Sequence, residues 1–396
     1  MNIIFYRYKS ICEPDYIDAF KSIGIEVIED RDGISNDHNL SLEQKISNLG
    51  TIIAENKPLF VFSINYYPFI SMLCEKLHVF YVAMTVDCPV FEIFNTTIRN
   101  KFNRLFLFDK DQYELIKNEN PECISHLPLG AAPSRVSTLL GDTSDYKYDI
   151  SLVGSLYNEK DPLFGNTALP KEIMQKIKAA IEMQLNENVY GYDVLKSALD
   201  TAPEILKALK DAAHDFYPSD MSVFDISDYV ALCDYLCPHA TYLERLKTLN
   251  SIGENTDNNT LHLFTQSDTK ELLGKIKVHG GVNSLTEMPF VFRQSKINLN
   301  ITTRSITSGL SQRIWDVLAC KGFLITNYQP EIDMFFRDGV HLVTYSSRDE
   351  LIEKINYYLS HEREREEIAQ NGYELVCQSG KVSDRVISMI AAITGA

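Results

Sequence analysis

The first 135 residues alternate short apolar runs with segments of helical periodicity, and this alternation constrains the fold more than any other feature of the chain. Strand–helix alternation is typical of a parallel α/β sheet. Leu59–Ile64 is a continuous apolar run, as in a strand that is covered on both faces, and Val79–Val86 and Arg104–Phe108 repeat that pattern. Residues 1–135 are therefore predicted to form a Rossmann-like domain, which ends in the Pro- and Gly-containing stretch Leu127–Pro133. The predicted strands are Asn2–Tyr6, Ile25–Ile28, Leu59–Ile64, Val79–Val86 and Arg104–Phe108.

A second α/β domain is predicted over residues 149–380. Between its first strand and the next, residues 168–250 show helical periodicity with almost no strand signal, which predicts an α-helical insertion. The insertion is interpreted either as a lid or acceptor-facing surface, or as a structural cap on the second domain. Residues 381–396 are predicted to add a short C-terminal helix. The predicted strands are Asp149–Val153, Thr260–Phe264, Ile276–His279, Ile297–Ile301, Phe323–Thr326 and Val340–Thr344.

Two helices are marked near the end of the second domain. Ser347 and Glu350 have the spacing of a capping box, which predicts that a helix starts there. A charged helix is predicted over Glu362–Asn371, with Gly372 ending it.

Composition excludes several classes of function. A net charge of −16 argues against a nucleic-acid partner, because phosphate backbones are bound by clustered Lys and Arg. No segment is long and apolar enough to predict a transmembrane helix, and the scattered cysteines predict reduced thiols in the cytoplasm. Cys233, Cys237 and His239 have a spacing that metal ligands can have, but no fourth ligand is evident and buried thiols are the preferred interpretation.

The segment Ser295–Asn327 is the most informative for function. A strand runs into a Ser/Thr-rich loop, and Ser308-Gly309-Leu310 is predicted to open a helix that ends near Gly322. The N-terminus of a helix suits a diphosphate, because its N–H groups are unpaired and carry positive partial charge. Arg313 could then reach a phosphate and Asp316 could accept both hydroxyls of a ribose, although solvated helix faces also carry such residues.

This segment resembles the C-terminal signature of GT-B glycosyltransferases, especially the bacterial group related to spore-maturation proteins. The similarity includes the strand, the Ser-Gly-Leu helix start, the Arg, the acidic residue and Ala319-Cys320 with Gly322. It extends to Asp87-Cys88-Pro89 and to the run Asp149–Tyr157 (DISLVGSLY). It covers nearly the whole chain in order, apart from the helical region.

The resemblance implies two Rossmann-like domains that face a cleft, with a nucleotide-sugar in the C-terminal domain and the acceptor approached from the N-terminal domain. It implies no cofactor beyond the nucleotide-sugar substrate, most often UDP-linked, and no required metal. By position it assigns Asp316 to the ribose and Lys160 to a phosphate countercharge. The residues that it places against the phosphates are Gly154, Ser155, Ser308, Gly309, Leu310 and Ser311.

The sequence also departs from the pattern of many retaining GT-B enzymes, which carry two Glu residues around this loop. Asp316 stands in place of the second Glu, and Ser and Gly residues occupy the region of the first. Lys321 precedes Gly322 where a small residue is usual. The contacts of the donor sugar and the stereochemical outcome therefore stay open.

Asp87 is the predicted catalytic base. It follows the apolar run Val79–Val86 at the strand end that would face the cleft, and an inverting transferase needs a group that takes the acceptor's proton. The alternative is that Asp87 only caps a turn. Asp109-Lys110-Asp111 resembles a DxD metal motif, but capping of the following helix is the preferred interpretation.

The leading hypothesis is transfer of a hexose or N-acetylhexosamine from a nucleoside-diphosphate sugar, most often UDP-linked, to a protein or glycan acceptor. An epimerase of nucleotide-sugars would share the fold and need no acceptor. A catalytically silent protein that binds sugar-nucleotides or glycans is the alternative from another class, because the Glu pair is missing.

Overall fold

The computed structural model describes residues 1–34, 40–165, 169–187, 190–256 and 259–394, which form two compact units. The N-terminal unit comprises Met1–Ala131, Asp220–Phe224 and Gly380–Ala396, and the C-terminal unit comprises Ala132–Ser219 and Asp225–Ser379. The first segment of the N-terminal unit thus ends at Ala131, slightly before residue 135, where the first domain was predicted to end.

The N-terminal unit contains a six-stranded sheet in the order β2-β1-β3-β4-β5-β6, with every neighbouring pair parallel. All five predicted strands are present, and the prediction missed the last strand and the second helix. That helix has a Ser41–Gln44 capping box, which the sequence signals. The strands are β1 (Asn2–Tyr6), β2 (Glu26–Asp30), β3 (Phe60–Ile64), β4 (Phe80–Met84), β5 (Asn103–Leu107) and β6 (Ile124–His126), and the helices are α1 (Glu13–Ser22), α2 (Leu42–Asn56), α3 (Pro68–Leu77) and α4 (Lys110–Ile116).

The C-terminal unit contains a second parallel sheet of six strands in the order β12-β11-β10-β7-β8-β9. The strands are β7 (Tyr148–Val153), β8 (Leu261–Phe264), β9 (Ile276–His279), β10 (Ser295–Asn300), β11 (Leu324–Asn327) and β12 (Val343–Tyr345). The helices are α5 (Pro133–Leu140), α6 (Lys171–Glu187), α7 (Asp193–Thr201), α8 (Glu204–Ala212), α9 (Ser227–Val230), α10 (Cys237–Asn255), α11 (Met288–Arg293), α12 (Gln312–Ala319), α13 (Ile332–Phe335), α14 (Arg348–Ser360) and α15 (Glu362–Ser379).

The core of the C-terminal unit lies between this sheet and the helices that cover it. Ile150 on β7 and Ile297 on β10 are fully buried, and so are Leu249 on α10 and Ile355 on α14. Removal of these apolar side chains from water is the main favourable contribution to folding. The inner strands also bury polar side chains that pair with one another, since the Ser151 hydroxyl on β7 donates to the Asn298 side-chain oxygen on β10 at 3.1 Å.

The predicted helical insertion corresponds to the helices from α6 to α10. The helical periodicity predicts one apolar face formed by Ile173, Ile177, Ala180 and Ile181. On α6 the three Ile side chains are buried and Ala180 is half-buried. One short segment of the region, Asp220–Phe224, belongs instead to the N-terminal unit. There, the Val223 N–H donates to the Phe94 carbonyl at 2.8 Å.

The prediction that Gly372 ends a helix is wrong. Helix α15 continues from Glu362 to Ser379, and Gly372 is buried within it. A Cβ atom at this position would lie 2.8 Å from Leu318 Cδ2 and closer still to the His341 carbonyl oxygen. Gly372 is therefore present because the helix approaches its neighbours too closely for a side chain, which the sequence does not distinguish from a helix end.

The chain ends in helix α16 (Val382–Thr394), which packs against α1 in the N-terminal unit. Val386 and Met389 are fully buried. The Arg385 Nε donates to the Leu129 carbonyl at 3.1 Å, which ties the start of α16 to the chain after β6. Within the described ranges, none of the helices is long and apolar enough to cross a membrane.

We expect Gly372→Ala to destabilise the protein by about 1–3 kcal/mol, because the added methyl group overpacks a filled contact. The measurement is urea unfolding followed by circular dichroism. Gly50→Ala is the matched control, since Gly50 also lies within a helix but its added Cβ would meet only Leu73 Cδ1 at 3.8 Å. The control should be neutral or stabilising by up to about 1 kcal/mol, and a similar gain for Gly372→Ala would contradict the packing argument.

Candidate donor and acceptor sites

The C-terminal sheet has a switch point between β7 and β10. From β7 the chain proceeds to β8 and β9 on one side, and then returns to place β10 on the other side of β7. In open parallel sheets, ligands bind outside the carboxyl ends of the strands where the order reverses. The segments that leave β7 and β10 are those in which the predicted donor residues lie.

The segment after β7 carries Gly154, Ser155 and Lys160. Gly154 has φ +155°, a backbone conformation that suits glycine, and its N–H donates to the Phe264 carbonyl at 3.0 Å. The Ser155 hydroxyl donates to Glu159 and accepts from the Tyr157 N–H at 2.7 Å, so this side chain fixes the turn. Lys160 is exposed, with its Nζ 5.0 Å from the centre of the Tyr157 ring.

Arg245 on α10 lies at the switch point and was missed by the sequence reasoning. Its guanidinium donates to the carbonyl oxygens of Ser155 and Ile301, the latter at 2.5 Å, and thus bridges the exits of β7 and β10. It also lies over the Tyr157 ring, with Cζ 4.8 Å from the ring centre, so Tyr157 contacts both this cation and Lys160. Burial lowers the pKa of Arg245 from its usual value, but an arginine stays charged in proteins. A cation that has lost part of its hydration favours an anionic ligand.

The Ser308–Ser311 segment precedes a helix and does not form its first turn. Helix α12 starts at Gln312, with Ser311 as its N-cap residue, which is later than predicted. The Ser308 side chain is buried, and its hydroxyl donates to the Glu331 carboxylate at 2.9 Å. Gly309 and Leu310 are also buried. The predicted contacts of this segment with a diphosphate stay a prediction, and Glu331 is a further residue that orders the segment.

Arg313 and Asp316 lie together on the partly exposed side of α12. The Gln312 amide donates to one carboxylate oxygen of Asp316 at 2.9 Å, and Arg313 is 3.4 Å from the other oxygen. The Arg313 guanidinium also lies over the Phe292 ring at 5.3 Å. Asp316 is thus oriented by two neighbours while about a fifth of its side chain, 21%, is exposed to solvent. The predicted contact of Arg313 with a phosphate stays a prediction.

A buried ion pair holds the loop after β10 against α10. Arg304 is 1% exposed, and its Nε and Nη2 donate to the two carboxylate oxygens of Glu244, each at 2.8 Å. The backbone N–H of Arg304 donates to the Thr241 hydroxyl at 3.0 Å. This bidentate geometry has a directional specificity that an isolated Lys lacks. The Arg within the Ser/Thr-rich loop is the sequence signal for this ion pair, because a buried Arg needs a partner for its charge.

In the N-terminal unit, the predicted base Asp87 is exposed just after β4. Asn65, which follows β3, donates from Nδ2 to the Asp87 carboxylate at 2.8 Å and to the Tyr8 hydroxyl at 3.0 Å. The Asn65 Oδ1 accepts from the Val86 N–H at 3.0 Å. The residues that leave β1, β3 and β4 thereby form one hydrogen-bonded group with an accessible carboxylate. Asn65 was missed because neither its contacts nor its left-handed conformation (φ +58°) is evident in the sequence.

The residues of the two candidate metal sites, the Asp109–Asp111 motif and the group around Cys233, have structural roles. Asp109 is fully buried and caps α4, accepting from the Gln112 N–H at 2.8 Å, which confirms the capping interpretation. Cys233 and Cys237 are buried, and His239 Nδ1 lies 2.6 Å from the Asp161 carboxylate. Among the described residues, no group of three or more His, Cys, Asp and Glu side chains is arranged to hold a metal ion.

Comparison with known proteins identifies a domain that lies mostly in the C-terminal unit. Residues 243–391 match the family model described as "Glycosyl transferase-like", and this range contains Arg245, Arg304 and Asp316. The chain carries a glycosyltransferase-like domain. No curated protein sequence matches the chain significantly.

Solved structures, one of them named a glycosyltransferase, resemble the whole chain in fold. A sucrose-phosphate synthase from Thermosynechococcus elongatus has a TM-score of 0.56 at 8% identity, covering 100% of this chain and 99% of that one. A glycosyltransferase from Rickettsia africae has a TM-score of 0.51 at 10% identity, covering 99% and 98%. The Anabaena protein HepE in complex with UDP-glucose has a TM-score of 0.50 at 12% identity, covering 100% of both chains.

These likenesses establish the fold and, together with the domain match, confirm two predictions. The chain has two Rossmann-like sheets in the GT-B arrangement of strands, and it carries a domain of glycosyltransferase type. Its assignment to the spore-maturation-related group stays a prediction. The roles assigned to individual site residues also stay predictions.

Proposed function

We propose that the protein transfers a hexose or N-acetylhexosamine from a UDP-sugar to a protein or glycan acceptor. The observation that carries the proposal is the arrangement at the switch point of the C-terminal sheet. There, Arg245 bridges the exits of β7 and β10, and Asp316 lies on α12 just beyond the loop that leaves β10. Arg245, Ile301 and Asp316 lie within the glycosyltransferase-like range 243–391, and the β7 exit precedes it. The HepE structure, which shares the fold, holds UDP-glucose and supports uridine as the base.

In the proposed donor site, positive side chains lie near the diphosphate and a carboxylate lies at the ribose. The diphosphate lies against the backbone of Gly154 and Ser155, with Arg245 and Lys160 as positive groups near its developing negative charge. Preorganised positive groups at the leaving group lower the barrier for transfer, because charge grows there in the transition state. Asp316 accepts the ribose hydroxyls, as a carboxylate can accept two hydrogen bonds at once.

On the acceptor side, we propose that Asp87 takes the proton of the attacking hydroxyl in an inverting reaction. Its carboxylate is exposed and is oriented by Asn65, as a general base must be. Burial raises the pKa of the neighbouring Tyr8 hydroxyl, which therefore remains protonated and able to donate to an acceptor. In a retaining reaction the departing diphosphate would assist, and Asp87 would only position the acceptor.

Neither a metal nor a cofactor is part of the proposal. Asp109 of the DxD-like motif is buried as a helix cap, which leaves that motif unsuited to a nucleotide-bound metal. The cytoplasm is proposed as the compartment. The charge of −16 supports a protein or glycan acceptor over a nucleic acid.

The first test is a thermal-shift panel of UDP, GDP, dTDP, CMP and their sugars. A ligand at one hundred times its dissociation constant adds about 2.7 kcal/mol of stability, so we expect a clear shift with UDP and UDP-sugars. Asp316→Ala should weaken UDP binding by about 1–3 kcal/mol, because a charged acceptor is lost from the ribose. Glu367→Ala, which changes an exposed acidic residue on α15, is the control and should bind as wild type.

No response to any nucleotide would refute the donor assignment and favour a glycan-binding protein. Unchanged UDP affinity in Asp316→Ala would remove that residue from the ribose site. Conversion of the UDP-sugar to its epimer without an acceptor would favour an epimerase.

Asp87→Asn should lower turnover by about 100- to 10,000-fold, because the amide cannot take the acceptor's proton. UDP affinity should be unchanged, and the fold should be preserved because Asn can still accept from Asn65. Asp18→Asn, an exposed change on α1, is the matched control. Full activity of Asp87→Asn would leave Asp87 with only a structural role.

Excess chelator should leave the rate of transfer unchanged, because no metal is proposed at the diphosphate. The assay is release of UDP from the UDP-sugar with and without chelator. A loss of activity that Mg²⁺ or Mn²⁺ restores would refute metal independence.

A further inference from the structure

Two serine hydroxyls hold the carboxylate of Glu159 where the chain leaves β7 and β8. The Ser155 hydroxyl donates to one carboxylate oxygen, and the Ser267 hydroxyl donates to the other at 2.8 Å. The Leu156 backbone N–H donates to the Ser267 oxygen at 2.7 Å and thereby fixes that hydroxyl. Both members of this serine pair, Ser155 and Ser267, are half-buried, while Glu159 is exposed. A bound anion is therefore held by two neighbouring strand exits at a place that solvent reaches.

The positive charge beside the serine pair exceeds the negative charge. Arg245 donates to the Ser155 carbonyl, and both Arg245 and Lys160 lie over the Tyr157 ring. In the described part of the chain, neither of these cations forms an ion pair with a carboxylate. One positive charge is in excess while Glu159 is in place, and two are in excess when Glu159 is withdrawn. A diphosphate diester carries two negative charges and matches the second state.

The contacts of Glu159 are those that a phosphate oxygen accepts. Hydroxyl groups donate to carboxylates and phosphates alike, and such bonds are stronger than bonds between neutral groups. Desolvation raises the pKa of Glu159, but hydrogen bonds from the serine pair and the charge of Lys160 outweigh it and hold the pKa below its usual value. Glu159 is therefore an anion at neutral pH.

We propose that the Glu159 carboxylate occupies, in the free protein, the position that a phosphate of the donor takes on the serine pair. Glu159 then acts as an internal competitor that sets the affinity for the donor, and Ser267 is a further phosphate-binding residue. That the incoming anion is a nucleotide-sugar rests on the proposed function, whereas the anion site on the serine pair does not.

The position of Glu159 allows the exchange. It lies in the short 3₁₀ helix Asn158–Lys160, where the exposed side chain can rotate into solvent. Hydrogen bonds between partly exposed groups contribute little net stability, because water replaces them when they break. A ligand with two negative charges beside Arg245 and Lys160 therefore displaces a carboxylate with one.

The test is calorimetric titration of the full chain with UDP in buffer without divalent metal. Glu159→Gln keeps the length of the side chain and removes its charge, so UDP should bind at least about threefold more tightly than to the wild-type protein. Glu159→Ala, which removes the competing group altogether, should change the affinity in the same direction. The gain should shrink at about 1 M salt, because salt screens charges at an exposed site. Inorganic pyrophosphate, titrated in the same way, reports on the anion site without the nucleoside.

A second variant examines the serine pair directly. In the Glu159→Gln background the pair is free of the competing charge, and Ser267→Ala should weaken UDP binding at least about threefold through loss of one hydrogen bond to a charged group. Asp268→Asn is the matched control, because it removes the same charge next to Ser267 from a carboxylate that is paired with Lys270 at 3.0 Å. It should change UDP affinity by less than about twofold.

Several results would overturn the internal competitor. Equal or weaker UDP binding in both Glu159 variants would leave Glu159 with only a structural role in the turn. An equal gain in Asp268→Asn would show that charge alone explains the effect, and unchanged affinity on Ser267→Ala would remove the serine pair from the phosphate. Tighter pyrophosphate binding in Glu159→Gln, in a protein that binds no UDP, would support the anion site and refute the proposed donor. Binding of neither anion to any variant would overturn both.

Discussion

The guanidinium of Arg245 connects the two strand exits on which the candidate donor site depends. Its hydrogen bonds to the Ser155 and Ile301 carbonyls fix the ends of β7 and β10 relative to α10. The adjacent residue Glu244 fixes Arg304, and thereby the loop after β10, to the same helix. One turn of α10 therefore determines the geometry of both segments at the switch point. A site that is held by buried charges in this way has its electrostatics set before a ligand arrives.

The sequence predicted most of the architecture because apolar periodicity reflects burial. Continuous runs such as Leu59–Ile64 indicated covered strands, and the pattern Ile173, Ile177, Ile181 indicated one face of a helix. Gly372 was misread because a glycine that ends a helix and a glycine that permits close packing have the same local signal. Long-range contacts decide between them, here with Leu318 and His341.

The candidate sites were predicted less completely than the fold. Motif positions such as Asp87 and Asp316 stand out because they follow a strand or lie on the polar side of a helix. Arg245 and Asn65 act through contacts with residues distant in sequence, so no local pattern identifies them.

The N-terminal unit consists of three separate segments of the chain, and this affects the order in which the two units can fold. Helix α16 packs on α1, although the two lie at opposite ends of the chain, and Asp220–Phe224 adds a piece from the middle. Domains generally fold in order as the ribosome releases them. Here the first unit to be synthesised lacks helix α16 until residues 382–394 have been translated. The C-terminal unit has all of its segments earlier, so the second unit in the sequence can be the first to complete its fold.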